Sequence, residues 1–486
     1  MPPVIWIDIE DVMVHLQWWA RPSGIQRLSY ETARALVEIA GEQRIRFVRH
    51  APDGFVALGF AELRDAYAAA VAGAARADRN QPAASARRAI EEADPAAQVP
   101  SGLRQVWRRA KAKLPADVQM ALLEVLLPQW AVVRAVPRLL RIIMVRGRPT
   151  RVTVATGGEV AAMAAGDVLF GLAAPWSSEH MQRATAAVRD RGLRYATLVY
   201  DMIPVVRPEF AGVSVARRFS AWAGDMLPLA HLTMAISHAT RRDIEGYAAR
   251  DGFTLRAPVR VVPLGTGFPS VPASAADAAA VPDEPYVLCV STIEVRKNHL
   301  LLFRAWRRLI DTMPHGQVPL LVFAGSMGWL VDDLMQQLRN SAFLDGRVRV
   351  VEAPSDGMLE ALYRGAMFTV YPSHYEGWGL PVVESLAFGT PCLAADTSSM
   401  PEAGGDLARY FCPDDVGDAT RQIRTLIDNP HELTAWRDEV RARFCPVPWH
   451  RTAEAILAAI DSAAAPPSAT HPPSATAPMD EATHPV

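Results

Sequence analysis

Residues 371–384 read YPSHYEGWGLPVVE, and the pattern within them indicates how the chain folds. A β-strand is predicted to end at Tyr371, and the loop after it holds Gly377 and Gly379. Pro381 stands where a helix begins, a position at which proline is well tolerated. Glycines let a backbone approach a ligand closely, and the first turn of a helix offers N–H groups to an anion. These residues therefore predict a strand–loop–helix unit that binds phosphate without a lysine-bearing P-loop.

Two carboxylates flank this loop. Glu376 precedes the glycines, where it can face a bound sugar, and Glu384 is predicted to lie in the first turn of the helix. Because a carboxylate beside a diphosphate is repelled, we expect both to contact hydroxyl groups, with Glu384 suited to a ribose. An acidic residue at a helix N-terminus is also favourable for the dipole alone, which is the simpler interpretation of Glu384 by itself. Together with Glu376 and the glycines, however, it indicates a ligand site.

Around this loop, short apolar runs alternate with helical stretches through the carboxyl-terminal half. The predicted strands are Tyr286–Val290, Leu320–Ala324, Val348–Val351, Phe368–Tyr371 and Cys392–Ala395. The predicted helices are His299–Thr312, Trp329–Asn340, Asp356–Gly365 and Pro381–Phe388. This alternation is typical of a doubly wound α/β fold with a parallel sheet, in which ligands bind beyond the carboxyl ends of the strands.

The amino-terminal half has a similar but less regular pattern. Its predicted strands are Val4–Ile7, Arg151–Thr156, Val168–Leu172, Ala196–Tyr200, Thr233–Ile236 and Val259–Val262. An Ala- and Arg-rich insertion at about residues 61–149 is expected to separate the first strand from the others. The boundaries predicted from composition are an amino-terminal domain at 1–268, a Pro- and Ser-rich linker at 269–285, a carboxyl-terminal domain at 286–448 and a disordered tail at 464–486.

Bulk composition excludes several classes of protein. The 486 residues carry a formal net charge of −2, which gives no general reason to expect nucleic-acid binding. The four cysteines fit neither a zinc site nor a disulfide framework, and no signal peptide is evident at the amino terminus. The longest apolar stretch, Met120–Val145, is interrupted by charged residues and prolines and is not expected to span a membrane. We therefore expect a cytoplasmic protein.

The pattern Glu-x7-Glu, set in Pro-Ser-x-x-Glu-Gly-x-Gly-Leu-Pro, resembles the signature of retaining glycosyltransferases of family 4. The resemblance covers most of Tyr286–Asp406 and implies the GT-B fold, in which two Rossmann-like domains face each other across a cleft. It also implies that a helix at 449–463 crosses back to the amino-terminal domain. The family's donor-binding loop corresponds to Gly377, Trp378, Gly379 and Leu380, and its reaction retains the anomeric configuration.

A second stretch, Ser291-Thr-Ile-Glu-Val-Arg-Lys-Asn298, resembles the family's basic loop that holds the donor diphosphate. The resemblance assigns that role to Lys297 and the neighbouring Arg296, although an arginine that some members carry at Ser291 or Thr292 is missing. A solvated helix start is the alternative for the two cations, but positive charge there opposes the helix dipole. Arg296 and Lys297 are accordingly expected to stabilise the leaving diphosphate.

Weaker similarities extend the comparison. Gly325 corresponds to a position near the nucleotide, and Ser23-Gly-Ile-Gln-Arg27 resembles a segment of bacterial enzymes that make surface polysaccharides. There Gly24 would approach the donor phosphates from across the cleft, or it is simply a helix-start glycine. Asp201 follows a strand where family members carry a His-Asp-x-x-Pro-like sequence, with Tyr200 in place of the histidine. Asp201 is therefore either an acceptor contact or a turn-forming aspartate.

The resemblance also suggests the substrates. The expected donor is GDP-mannose, with UDP- or dTDP-linked sugars as alternatives, and the expected acceptor is a growing glycan on a lipid carrier. No Asp-x-Asp motif is present, and neither a cofactor nor a metal is expected for diphosphate departure. The segment Arg104–Arg151 would either contact an anionic membrane surface or form a buried helix pair with basic outer faces. A non-catalytic nucleotide-sugar-binding protein of the same fold remains the alternative from another class.

Overall fold

The structure is a computed structural model that describes residues 2–18, 24–51, 54–79, 160–267, 277, 279, 281–314 and 316–464. The predicted strand Arg151–Thr156, the Arg-rich segment Arg104–Arg151 and the tail from residue 465 onward lie outside the described residues. Two separate sheets, one in each half of the chain, organise the described part. Helices cover both sheets, as the alternation of strands and helices predicts.

The amino-terminal sheet has the strand order β3-β2-β1-β4-β5-β6-β7. Its strands are β1 (Ile5–Asp8), β2 (Ile45–Ala51), β3 (Gly54–Leu58), β4 (Val168–Gly171), β5 (Arg194–Val199), β6 (Leu232–Ala235) and β7 (Arg260–Val261). All of these neighbours pair in parallel except β2 and β3, which form an antiparallel hairpin at the edge of the sheet.

Two strands that were not predicted, β2 and β3, lie between the first strand and the insertion. In β2, Arg46, Arg49 and His50 interrupt the apolar run, so that the sequence does not resemble a buried strand. The helices of this half are α1 (Glu10–Trp18), α2 (Gly24–Ala40), α3 (Phe60–Arg79), α4 (Ser178–Arg191), α5 (Ile203–Val206), α6 (Val213–Leu229) and α7 (His238–Asp251).

The carboxyl-terminal sheet is parallel throughout and has the order β10-β9-β8-β11-β12-β13. Its strands are β8 (Tyr286–Val290), β9 (Leu320–Gly325), β10 (Val348–Glu352), β11 (Thr369–Tyr371), β12 (Cys392–Ala395) and β13 (Arg409–Phe411). The first five match the predicted strands within one residue at each end. The short edge strand β13 was not predicted from its sequence.

The helices of the carboxyl-terminal half lie between and after these strands. They are α8 (His299–Thr312), α9 (Asp332–Asn340), α10 (Ala342–Asp345), α11 (Asp356–Gly365), α12 (Leu380–Ala387), α13 (Met400–Gly404), α14 (Val416–Asp428), α15 (Pro430–Arg443) and α16 (Trp449–Ala464). The last of these packs into the amino-terminal core through Ala453, Ile456 and Ile460. The indole N–H of Trp449 donates to the carbonyl of Gly267 at 2.9 Å, which fixes the start of α16 against the same domain.

In the carboxyl-terminal sheet the strand order reverses between β8 and β11, which are neighbours in space but not in sequence. Loops that leave the carboxyl ends of two such strands diverge and open a crevice between them. Here these loops are residues 291–298 and 372–379, the two stretches singled out in the sequence. The topology therefore brings the basic loop and the glycine loop together.

Candidate active site

The candidate site lies where the basic loop (residues 291–298) and the glycine loop (residues 372–379) run side by side. The N–H of His374 donates to the carbonyl of Arg296 at 2.9 Å. The side-chain amide of Asn298 donates to the carbonyls of Pro372 and Pro413, at 3.2 and 2.9 Å. Asn298 itself has φ 56°, a left-handed conformation that asparagine tolerates better than most residues. These bonds hold the two loops against each other.

Glu376 lies between two cations. Its Oε2 is 2.6 Å from Nη1 of Arg296, and its Oε1 is 2.6 Å from Nζ of Lys297. Lys297 also donates to the hydroxyl of Tyr371 at 2.8 Å, and that hydroxyl donates to Oε1 of Glu376 at 2.8 Å. Only 15% of the Arg296 side chain and 11% of the Lys297 side chain are exposed. The alternative of a solvated helix start is therefore excluded for both cations.

Further bonds fix the guanidinium of Arg296. Its Nη2 is 2.7 Å from Oε1 of Glu294, a residue that is 3% exposed, and its Nη1 donates to the carbonyl of Tyr375 at 2.7 Å. The N–H of Glu376 donates to the hydroxyl of Ser398 at 2.9 Å. Sequence reasoning gave Glu294 no role, although an acidic residue two positions before an arginine in a ligand loop was an available signal.

The pKa values reflect this pairing. Burial by itself would raise the pKa of Glu376, but the charges of Arg296 and Lys297 hold it at about 2. Burial and the neighbouring Arg296 lower the pKa of Lys297, while Glu376 opposes that shift. Burial would likewise lower the pKa of Arg296, but Glu376 and Glu294 raise it. Two acids and two bases thus form a buried ionic cluster in which each charge depends on the others.

Glu384 lies one turn into α12, so the prediction that it occupies the first turn is wrong. The helix begins at Leu380, earlier than expected, and its first turn contains no acidic residue. Oε2 of Glu384 accepts a hydrogen bond from the buried hydroxyl of Tyr363 at 2.9 Å, and burial raises the pKa of Glu384. Gly379 precedes the helix with φ 121° and no side chain caps the helix start, as required for an N-terminus that meets an anion.

Gly377 touches the amino-terminal domain. A Cβ at this position would lie 2.0 Å from the carbonyl oxygen of Tyr200 and 2.9 Å from Cβ of Asp201. The hydroxyl of Thr240 lies within reach of both backbones, 3.3 Å from the oxygen of Tyr200 and 3.4 Å from that of Gly377. The missing side chain of Gly377 therefore makes room for the other domain, and its predicted contact with a donor stays a prediction.

The residues after Gly377 continue this contact between domains. Trp378 and Leu380 pack against the amino-terminal apolar core. A Cβ on Gly24 at the start of α2 would lie 3.5 Å from Cδ1 of Leu380, which places this glycine opposite the start of α12. The glycine segment of the amino-terminal domain and the glycine loop of the carboxyl-terminal domain therefore face each other across the cleft.

Asp201 and Tyr200 form the amino-terminal side of the site. Oδ1 of Asp201 accepts a hydrogen bond from the N–H of Ile203 at 3.0 Å, as a turn-forming aspartate does. Burial raises the pKa of Asp201, and the positive charge of Arg296 across the cleft opposes that shift. The buried hydroxyl of Tyr200 donates to the carbonyl of Leu172 at 2.7 Å, so it supports the fold and does not reach into the cleft.

Gly325 ends β9 with φ 158° and lies against the first residue of the basic loop. A Cβ there would be 1.9 Å from the carbonyl oxygen of Ser291. Glycine is therefore needed for the packing of β9 against this loop, independently of any nucleotide.

Three polar contacts across the cleft were not predicted from the sequence. Arg27 pairs with Asp356 at 2.5 Å, and the hydroxyl of Tyr375 lies 2.8 Å from both carboxylate oxygens of Asp243. The carboxylate of Glu402 accepts the N–H groups of His238 and Ala239, at 2.6 and 2.8 Å, and so caps α7 from the other domain. These partners are more than a hundred residues apart in the sequence, so no local sequence pattern predicts that they pair. His238 contributes its backbone N–H to this contact.

Comparison with known proteins gives a family match in the carboxyl-terminal half of the chain. The family Glycosyl transferases group 1 matches residues 272–443, which contain both loops of the site. The O-antigen chain mannosyltransferase B of Escherichia coli is 33% identical over 158 residues, or 32% of this chain and 40% of that protein. The serotype-specific mannosyltransferase WbdA of Escherichia coli is 26% identical over 50% of this chain and 32% of its own length. The chain thus spans about a third to two fifths of these relatives.

A solved structure supports the architecture as a whole. HepE of Anabaena, in complex with UDP and glucose, is 13% identical and covers 95% of this chain and 100% of its own, with a TM-score of 0.51. At this identity the similarity concerns the fold alone. The predicted GT-B fold is confirmed, with two Rossmann-like domains that face each other across a cleft. Among the described residues, no helix combines the length and the apolar character needed to cross a bilayer.

Proposed function

We propose that this chain, whose residues 272–443 form a glycosyl transferases group 1 domain, is a retaining glycosyltransferase that moves mannose from GDP-mannose to a growing or lipid-linked glycan. The observation that carries the proposal is the buried cluster of Arg296, Lys297 and Glu376 at the switch point of the carboxyl-terminal sheet. Phosphate-binding cations at this place, beside a helix start without a side-chain cap, are what a nucleoside diphosphate requires.

The role of the cations follows from the chemistry of the donor. The bond between the sugar and the diphosphate breaks as an oxocarbenium-like centre forms, and negative charge grows on the departing diphosphate. Arg296, Lys297 and the start of α12 would stabilise that charge in a site with little water. With these groups in place, diphosphate departure requires no metal ion at this position.

Glu376 has a second role in this proposal. Its carboxylate pairs with both cations, at 2.6 Å from each. A donor diphosphate would compete for the same cations, so that donor binding turns Glu376 away from Arg296 and Lys297 and toward the sugar. Glu384, held by the hydroxyl of Tyr363, would bind the ribose, and Asp201 would contact the acceptor from the other domain.

The assignment of sugar and product class rests on the relatives. The two relatives compared above are both named mannosyltransferases, one an O-antigen chain mannosyltransferase and the other a serotype-specific mannosyltransferase. This supports mannose as the transferred sugar and a bacterial surface polysaccharide as the product. The chain would work in the cytoplasm, as a peripheral enzyme at the inner face of the membrane. Retention of configuration is proposed from the Glu-x7-Glu pattern alone.

The test is a transfer assay with a panel of donors. Purified full-length protein is incubated with GDP-mannose, UDP-glucose or a dTDP-sugar and a lipid-linked mannose-containing oligosaccharide, and nucleotide release and glycan extension are measured together. Extension with GDP-mannose and an α-anomeric signal in the NMR spectrum of the product are the expected results. Extension with only a UDP- or dTDP-sugar would show that GDP-mannose is not the donor. A β-anomeric product would show that the reaction does not retain the anomeric configuration. Neither release nor extension with any donor, together with retained nucleotide-sugar binding, would favour a non-catalytic binding protein.

A further inference from the structure

A second polar cluster lies at the carboxyl edge of the amino-terminal sheet. Asp8 ends β1, His50 lies near the end of β2, and His180 is in the first turn of α4. Oδ2 of Asp8 is 2.7 Å from Nε2 of His50 and 2.6 Å from Nδ1 of His180. The side chains of Asp8, His50 and His180 are 3, 7 and 1% exposed. Three atoms of the types that bind metal ions therefore lie close together in a site that is largely shielded from solvent.

We propose that Asp8, His50 and His180 bind a divalent transition-metal ion of the zinc type. One atom from each side chain is available, and these three atoms all lie within 4.8 Å of one another. Two imidazole nitrogens and one carboxylate oxygen form a donor set that zinc accepts, with a fourth position left for water. In a tetrahedral site with ligands at about 2.0–2.1 Å, neighbouring ligand atoms lie about 3.3 Å apart. The present contacts would have to lengthen by about 0.6 Å, which rotation of the side chains can supply.

The surroundings of the three residues support the proposal. Nε2 of His180 is 3.2 Å from the hydroxyl of buried Tyr195, which fixes the ring and leaves Nδ1 directed at Asp8. The N–H of Glu10 donates to Oδ1 of Asp8 at 3.0 Å, so the second carboxylate oxygen is held while Oδ2 faces the imidazoles. Outer hydrogen bonds of this kind orient the ligands of protein metal sites.

The position of the ligands suggests what the ion would do. The ligands come from β1, β2 and α4. The contact between Asp8 and His180 joins β1 to α4, although the two residues are 172 positions apart in the sequence. An ion there would fasten the edge hairpin and α4 to the centre of the sheet, and metal binding would add to the stability of the amino-terminal domain. None of the three residues belongs to the proposed diphosphate site.

The test measures metal directly on full-length protein prepared without a histidine tag. After removal of metal by a chelator, Zn²⁺ is expected to bind at about one ion per chain and to raise the melting temperature. Co²⁺ is expected to give the intense visible absorption of a tetrahedral site. His50→Gln and His180→Gln should each weaken Zn²⁺ binding at least about tenfold, as loss of one ligand does. The exposed His238 provides the matched control, and His238→Gln should bind Zn²⁺ like the wild type.

If the wild-type chain binds neither Zn²⁺ nor Co²⁺ and its melting temperature is the same with and without the chelator, the three residues form only a hydrogen-bonded cluster and the proposal is wrong. If His50→Gln or His180→Gln does not fold, the Co²⁺ spectrum of the wild type still decides. Equal metal binding by all variants would place the ion elsewhere and would equally overturn it.

Discussion

At the scale of single residues, the charges of the site are paired with one another. Glu376 neutralises Arg296 and Lys297 while it is nearly buried, with 10% of its side chain exposed. Removal of one partner from such a cluster leaves a buried charge without compensation, which costs about 3–5 kcal/mol. The same arrangement keeps both cations charged and correctly placed until a stronger anion arrives. In the proposed function, stability and catalysis would thus depend on the same side chains.

The two cations are expected to contribute mainly to the rate of transfer. Arg296→Gln or Lys297→Met should lower kcat/KM by about 10²–10³-fold, because each variant loses a group that stabilises the leaving diphosphate. Initial rates of nucleotide release measure this effect. Arg307→Gln is the control, since Arg307 is 56% exposed and pairs only with Asp311 on the surface of α8. Wild-type rates in Lys297→Met would contradict the assigned role.

The pKa of Glu376 predicts a dependence of stability on acid. Its folded-state pKa of about 2 lies below the ordinary 4.5, so ionised Glu376 stabilises the fold above about pH 4.5 and this contribution is lost as the pH falls toward 2. Glu376→Gln should therefore be about 3 kcal/mol less stable than the wild type at neutral pH, and the difference should shrink below about pH 4.5. Urea unfolding at neutral pH and near pH 3.5 measures it.

A suitable control for that series is Glu439→Gln, which removes an exposed partner of Arg443 within one helix. Its effect on the free energy of unfolding should stay below about 1 kcal/mol at every pH. A gap between wild type and Glu376→Gln that does not change with pH would mean that Glu376 is not held ionised by its neighbours.

At the scale of elements, the two loops meet because β8 and β11 are neighbours in a parallel sheet. The sequence predicts this well: α8 and α11 begin and end at the predicted residues, since each combines a strong apolar period with a turn or a capping residue before it. Ser355, for instance, accepts the N–H of Met358 as the N-cap of α11. Strand β2 was missed because Arg46, Arg49 and His50 interrupt its apolar run, and β13 was missed because three residues are too few to show a pattern.

The residues of the site were predictable to different degrees. The sequence motifs around Arg296, Lys297 and Glu376 indicate the chemistry of these residues. The structure places the three side chains in contact. The contact of Lys297 with Tyr371 and that of Gly377 with Tyr200 depend on how distant segments fold together. Periodicity and local motifs contain no information about such contacts, so these roles emerge only from the structure.

The contact of Gly377 yields a prediction for the glycine loop. Gly377→Ala would place a Cβ 2.0 Å from a backbone oxygen of the other domain, and neither backbone can yield as a flexible side chain could. The loop and the amino-terminal domain must separate, so transfer should fall more than about tenfold through misplacement of the reacting groups. Gly246→Ala is the control, because its Cβ would meet no atom within 4 Å. Equal transfer rates in the two variants would contradict the interpretation.

At the scale of the whole molecule, the two domains are closed on each other by a small set of polar contacts. Arg27 pairs with Asp356, Tyr375 with Asp243, and Glu402 with the start of α7. The helix α16 joins the domains permanently, because it follows the carboxyl-terminal domain and is buried in the amino-terminal core. A cleft that opens and closes requires polar contacts that can separate and a connection, such as α16, that stays in place.

Glu402 offers a test of this closure. Its carboxylate caps α7 from the other domain, so Glu402→Ala removes an interaction made only in the closed state. Loss of a helix cap costs about 1 kcal/mol, which would shift the balance roughly fivefold toward the open form. Small-angle X-ray scattering should report a larger radius of gyration for this variant. Glu432→Ala, which affects a surface pair within the carboxyl-terminal domain, should leave the radius unchanged; identical scattering from both variants would show that Glu402 does not hold the domains together.

The central claim is that Arg296, Lys297 and Glu376 form the binding site of a nucleoside diphosphate, and calorimetric titration with GDP tests it most directly. Wild-type protein and Arg307→Gln are expected to bind GDP with equal affinity, whereas Lys297→Met should bind it at least about tenfold more weakly, since it loses a charge-assisted hydrogen bond to phosphate. Equal affinity of Lys297→Met and the wild type for GDP, or no binding of GDP, UDP or dTDP by the wild type, would contradict the claim.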